Sequence, residues 1–171
     1  MKSINKNKVC RKLLFLIIFS SSIYVYCQPV LPQRSITVNA TQALSFGVFY
    51  DRGGGGTISV DWQGIRSTTG GIIALPSYHG MPMPAIYEVK LCQGRTISIT
   101  YPETSTLTNS DEHSLTLDVG PTERGGYGTI FATENDCNFI TILRVGGTLR
   151  IPPNTPIGDY TGSFKIQFNQ Q

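Results

Sequence analysis

Histidine is scarce in this chain: His79 and His113 are the only two among 171 residues, and neither stands near a cysteine in sequence. The mixed nitrogen and sulfur sets that hold zinc therefore have no local basis, and no metal site is expected. Charge is thin as well. Charged residues make up 15% and hydrophobic ones 40%, which excludes both a disordered polyelectrolyte and a multispan membrane protein. Lys and Arg outnumber Asp and Glu by 14 to 11, but Lys2, Lys6, Lys8, Arg11 and Lys12 crowd the N-terminus. From Gln28 onward there are 9 basic and 11 acidic residues, a net charge of −2. A nucleic-acid partner finds no electrostatic footing there. Reactive signatures are missing too. There is no Gly-x-Ser-x-Gly elbow, and Gly53–Gly56 is followed by the strand-like Thr57–Trp62 where a phosphate loop needs a helix, so it reads as a flexible hairpin tip.

What is present at the N-terminus is a leader. The basic stretch ends at Lys12, and an apolar run of fourteen residues follows from Leu13 to Tyr26. As a helix it would reach about 21 Å, against a hydrocarbon core of about 30 Å, which suits a cleaved signal better than a span. The expected cut lies between Cys27 and Gln28, with Val25 and Cys27 as the small residues before it. Two rival readings stand: a lipid-modified Cys27, which the bulk of Tyr26 disfavours, and an uncleaved anchor. The expected organisation is a signal helix over residues 1–27 and one domain over residues 28–171. Export to the periplasm or outer cell surface follows, with membrane contact only through the leader.

Of four cysteines, Cys10 and Cys27 leave with that leader. Cys92 and Cys137 remain, and in an exported domain such a pair reads as one disulfide. Closing a loop of that length would stabilise by about 4 kcal/mol on the chain-entropy model. Two buried free thiols are the other reading.

All 18 glycines and 10 prolines lie after the leader, and period-two segments run between them. Ile36, Val38 and Ala40 alternate with polar neighbours, as do Ile58, Val60 and Trp62, then Tyr87, Val89 and Leu91. The same holds for Ile97, Ile99 and Tyr101, for Leu115, Leu117 and Val119, and for the run Tyr160 to Phe168. Each such segment has one dry row that a second layer must cover. The stretch Asn138–Val145 supplies apolar residues to both faces and reads as a central strand covered on both sides. Asp51–Gly56, Thr69–Gly71, Cys92–Gly94, Gly125–Gly126 and Gly146–Gly147 read as turns. No helical stripe of ten residues appears. The fold expected is all-β, an immunoglobulin-like antiparallel β-sandwich of about eight to ten strands, with a closed barrel as runner-up.

Chemistry-bearing clusters are few. Asp111-Glu112-His113 joins two carboxylates and an imidazole, but consecutive residues cannot converge on one reacting atom, so a solvated loop is expected. No catalytic residue and no cofactor is expected. Tyr50, Trp62, Tyr78, Tyr87, Tyr101, Tyr127 and Tyr160 could form a sugar-stacking platform, though most sit in strand patterns that read as core. The best place for one is the Pro76–Pro84 loop, with Tyr78, His79 and Met81.

Several blocks resemble a known family in order along the chain. They are Leu44-Ser-Phe-Gly47, Gly56-Thr-Ile-Ser-Val60, Thr69–Leu75, Ala85-Ile-Tyr-Glu-Val89, Ile97–Pro102, Val145-Gly-Gly-Thr-Leu149 and Gly158–Phe164. Together they resemble the secreted bacterial family described as domain of unknown function 4402, itself similar in organisation to fimbrial and spore-coat subunits. Cys92 and Cys137 fall where that family has small residues, so the disulfide rests on compartment and count alone. The resemblance implies a non-enzymatic, exported structural or adhesin-like surface subunit. Its partners would be itself or other surface subunits, joined through edge strands, with Gln28–Ala40 and Gly158–Gln171 as the segments exchanged. The runner-up is a monomeric secreted module that binds a glycan or a protein through the Pro76–Pro84 and Thr104–Glu112 loops. A hydrolase on the same scaffold comes third.

Overall fold

The computed structural model describes residues 35–170 apart from 78–79, 93–95, 135 and 137. Ten strands follow one another: β1 (Ser35–Gln42), β2 (Phe49–Val60), β3 (Arg66–Ala74), β4 (Ala85–Cys92), β5 (Thr96–Thr100), β6 (Thr104–Thr108), β7 (Ser114–Thr122), β8 (Ile130–Ala132), β9 (Thr141–Ile151) and β10 (Gln167–Gln170). They form two antiparallel sheets packed as a sandwich. One has seven strands along the path β1-β4-β9-β2-β3, with β7 also on β9 and β6 on β7; the other is β10-β5-β8. The expected leader and cut site lie outside the described residues, among which no helix is long and apolar enough to cross a membrane.

β9 organises the larger sheet. Thr141, Leu143, Val145, Leu149 and Ile151 all point inward and are buried, while Ile142, Arg144, Thr148 and Arg150 point out. β4 pairs with it over Thr141–Val145 and β2 over Gly147–Ile151, so two strands succeed one another along it. The handover falls at Gly146. A Cβ there would stand 2.5 Å from the Val60 carbonyl oxygen and 3.0 Å from the Asp61 Cα, where β2 ends. Only a residue without a side chain lets the two backbones approach so closely. Between the sheets, the inward rows of β2, β4, β5 and β9 meet in a core centred on Ile58, Val89, Leu91, Ile97, Ile99, Leu143 and Val145.

Three glycine clusters expected at turns lie inside strands. Gly53–Gly56 is no hairpin tip: it is an irregularity within β2, between the pairs Asp51↔Ile72 and Gly56↔Gly70. The Asp51 carboxylate accepts the Gly53 and Gly55 amide N–H groups at 3.0 Å and organises it. Gly70 and Gly71 face that irregularity from β3, and Gly146 and Gly147 lie within β9. In all three places the missing side chain makes room for a neighbouring backbone or a packed side chain, a use that composition alone does not distinguish from a turn. The hairpin that joins β2 to β3 is instead Asp61–Ile65, in which Asp61 Oδ1 accepts the Gln63 and Ile65 amides at 2.9 and 2.8 Å.

Two alternating runs also differ from expectation. Tyr160 to Phe168 is not one strand. Thr161 bridges to Thr108 beside β6, and pairing resumes only at Gln167, on β5, so the segment passes from one sheet to the other. Asn138–Val145 is not covered on both faces: β9 starts at Thr141 and has one buried row, while Phe139 and Ile140 precede it and are exposed.

Candidate functional site: an unfilled strand position

Register decides which way β1 faces. Ile36 stands opposite Leu91, Val38 opposite Val89 and Ala40 opposite Tyr87. Val89 and Leu91 are buried in the core, and paired residues share a face, so Ile36, Val38 and Ala40 are the inward row of β1. Ile36 packs against the core, yet Val38 is 37% exposed and Ala40 is exposed too. Opposite this row the smaller sheet has stopped. Its edge strand β10 sits over β4, where the Phe168 and Tyr87 rings meet with centroids 6.0 Å apart. Burial pushes the Tyr87 phenol above its ordinary pKa.

The outer side of β10 has no strand on it among the described residues. Gln170 faces inward, because its partner in register is the buried Ile97. Its amide nitrogen is buried without a hydrogen-bond partner. An unpaired sheet edge, a half-bare apolar row opposite and an unmet donor thus lie along one margin. Such a place is shaped for an extended segment, which would bring main-chain groups for β10 and side chains for the gap.

The other margin is closed. The Arg124 guanidinium lies over the Phe131 ring, 5.8 Å from its centroid, and joins the end of β7 to β8. Glu123 Oε1 accepts the Arg144 amide at 3.2 Å, and Oε2 pairs with Arg144 Nη1 at 3.0 Å. Beside these residues lies a cleft of about 430 Å³ lined by Arg124, Thr133, Glu134, Phe139, Ile140 and Arg144, among others.

The residues singled out by sequence do not gather into a reactive centre. Cys92 is disulfide-bonded, while Cys137 lies outside the described residues. So do Tyr78 and His79 of the Pro76–Pro84 loop. Met81 in that loop is exposed, and Met83 is tied to Ser45 by paired backbone bonds of 2.8 Å. Most of the Thr104–Glu112 segment is strand β6. The remaining turn is held by Asn109 Oδ1, which accepts the Asp111 and His113 amides and leaves Asp111, Glu112 and His113 exposed. Of the candidate platform aromatics, Tyr50, Trp62 and Tyr127 are exposed; the Tyr127 ring meets Tyr101 edge-on with centroids 5.9 Å apart, and Tyr101 is buried, its phenol pushed above the ordinary pKa by that burial. Among the described residues no group of three or more His, Cys, Asp or Glu is placed to hold a metal ion.

Residues 36–169 match the model of the family described as Domain of unknown function (DUF4402). The chain belongs to that family. No curated protein and no solved structure matches it. Within this DUF4402 domain, sequence reasoning named the segments that carry β1 and β10 without the gap between them, and it missed the cleft. The signal for the cleft was slight: two apolar residues, Phe139 and Ile140, that break alternation ahead of β9.

Proposed function

We propose that this DUF4402 protein is an exported, non-enzymatic subunit of a bacterial surface structure, assembled when an extended segment of one copy occupies the open margin of the next. The observation that carries the reading is the free edge of β10 beside the half-exposed inward row Ile36, Val38 and Ala40. An incoming strand would satisfy β10 main-chain groups, cover Val38 and offer a carbonyl to Gln170. It would also remove a flat sheet edge from solvent, which exported β proteins otherwise have to protect.

The donor in this reading is Gln28–Arg34, the segment that follows the leader and precedes β1. Seven residues in extended form reach about 23 Å, enough to run the length of the four-residue β10. Its prolines, Pro29 and Pro32, are compatible with an added edge strand whose outer side faces water. The basic start and fourteen-residue apolar run support passage through a secretory route, with Gln28 as the new N-terminus.

The test uses two variants that break opposite halves of the contact. Deleting Gln28–Arg34 removes the donor; Val38→Lys places a charge in the acceptor. Light scattering over a broad concentration range should find oligomers for the wild-type mature chain and monomers for each variant alone. An equimolar mixture should form a 1:1 complex, because one variant keeps the acceptor and the other keeps the donor. A wild-type chain that stays monomeric throughout, or a mixture that does not associate, overturns the proposal. N-terminal sequencing of protein recovered outside the cytoplasm should begin at Gln28.

A further inference from the structure

We infer that the cleft beside β9 is a binding site for an acidic saccharide, a sugar unit carrying one carboxylate. This goes beyond the assembly reading and does not depend on it, since the cleft lies at the closed margin.

Arg144 is held by Glu123 from two directions, through its amide and through Nη1, yet its side chain stays 43% exposed. One edge of its guanidinium is thus fixed in place while donors remain for a ligand. Arg124 is positioned by the Phe131 ring and pairs with no carboxylate among the described residues. Two arginines therefore line one cleft, one held by Glu123 and the other over the Phe131 ring. The Thr133 hydroxyl is buried there and has no hydrogen-bond partner, an unmet polar group in the lining. Phe139 adds a ring that is 50% exposed, and Ile140 continues the apolar surface beside it.

Each feature narrows the ligand. Fixed guanidinium forks select a planar anion. Glu123 and Glu134 in the same lining set the formal charge of the four ionic groups to zero, which disfavours a dianion such as a phosphate monoester and leaves room for a single carboxylate. A volume of about 430 Å³ is that of a small-ligand pocket and far exceeds a bare carboxylate. The half-exposed ring of Phe139 offers a flat apolar face, which the C–H face of a pyranose matches through dispersion contacts. A carboxylate, hydroxyls and one apolar face on a single compact unit describe a uronic-acid sugar.

The probe is trigalacturonate, titrated into the mature chain and followed by NMR chemical shifts and calorimetry. Saturable binding is expected, with shifts centred on Arg124, Thr133 and Phe139. Arg124→Ala and Phe139→Ala should each weaken it by about tenfold or more, as should reduction of the sugar's carboxylates to alcohols. Unaltered far-ultraviolet circular dichroism and a cooperative unfolding transition will show that the variants fold. No saturable binding overturns the inference. So does equal binding of the reduced sugar, or indifference to Phe139→Ala. Displacement of the sugar by acetate at equal concentration would reduce the site to a simple anion contact and overturn the saccharide assignment as well.

Discussion

The two lateral margins of this sandwich are built on opposite plans. Along the β7 and β8 side Arg124 rests on Phe131 and joins the two layers, while Glu123 clasps β9 within the larger sheet through both its carboxylate oxygens. Along the β1 and β10 side the layers part. There Tyr87 meets Phe168, and beyond it Val38 and Ala40 face inward yet stay exposed among the described residues. Both margins are made of strands with similar alternation, so alternation alone does not decide which one is sealed. What decides it is the number of strands in each layer: seven against three leaves one flank of the larger sheet without a lid.

This contrast is open to direct attack. The largest effect belongs to the centre that both margins share. Leu143 has no exposed surface, and Leu143→Ala should cost about 2–5 kcal/mol in urea unfolding through lost burial and an unfilled cavity. On the open flank Val38→Ala, measured in the same way on the isolated chain, should stay within about 0.5 kcal/mol. A cost for Val38→Ala comparable to that for Val89→Ala would mean that the flank is covered after all. Gly146→Ala comes next. Its new Cβ meets the Val60 carbonyl and the Asp61 backbone, which cannot swing aside as a side chain can, and the strain should lower stability by about 1–3 kcal/mol in thermal or urea unfolding.

Removing a tie from the closed margin should have a measurable but similar or smaller effect. Glu123→Ala deletes two charge-assisted bonds and should destabilise by about 1–3 kcal/mol, with faster amide exchange at Arg144 as the local readout. The smallest effect is read by titration. Burial raises the Tyr87 pKa in the folded chain, so its contribution to stability is complete below the ordinary tyrosine value and is lost as pH climbs through the raised one. Phe168→Ala should move the Tyr87 phenolate transition back toward its ordinary position in an ultraviolet titration. An occupied margin should move it further up, so the same signal reports whether a strand has docked.

Much of this architecture was legible before the coordinates. Alternation at Tyr87–Leu91, Ile97–Tyr101 and Leu115–Val119 marks strands with the inward faces observed, because a half-buried sheet leaves that pattern in sequence. Glycine was the weak guide. Gly53–Gly56, Gly70, Gly71, Gly146 and Gly147 read as breaks between strands, yet they sit where strands crowd or cross, and sequence records the absent side chain without recording which neighbour requires it. Val38 shows the same limit from another direction. Its place in a dry row was correct, but dryness depends on what the opposite layer supplies, and β10 lies more than a hundred residues away in the chain. The cleft was hidden for a like reason, since Glu123, Thr133 and Arg144 come from three separate segments.

The late position of β9 has a bearing on how the molecule matures. β2 and β4 are synthesised early, but each waits for the same tardy partner, and so does β7. Until the ribosome has delivered nearly the entire polypeptide, the larger sheet has no spine, and long-range pairing of this sort is slow even once the parts are present. A nascent chain of this design stays loose while it grows.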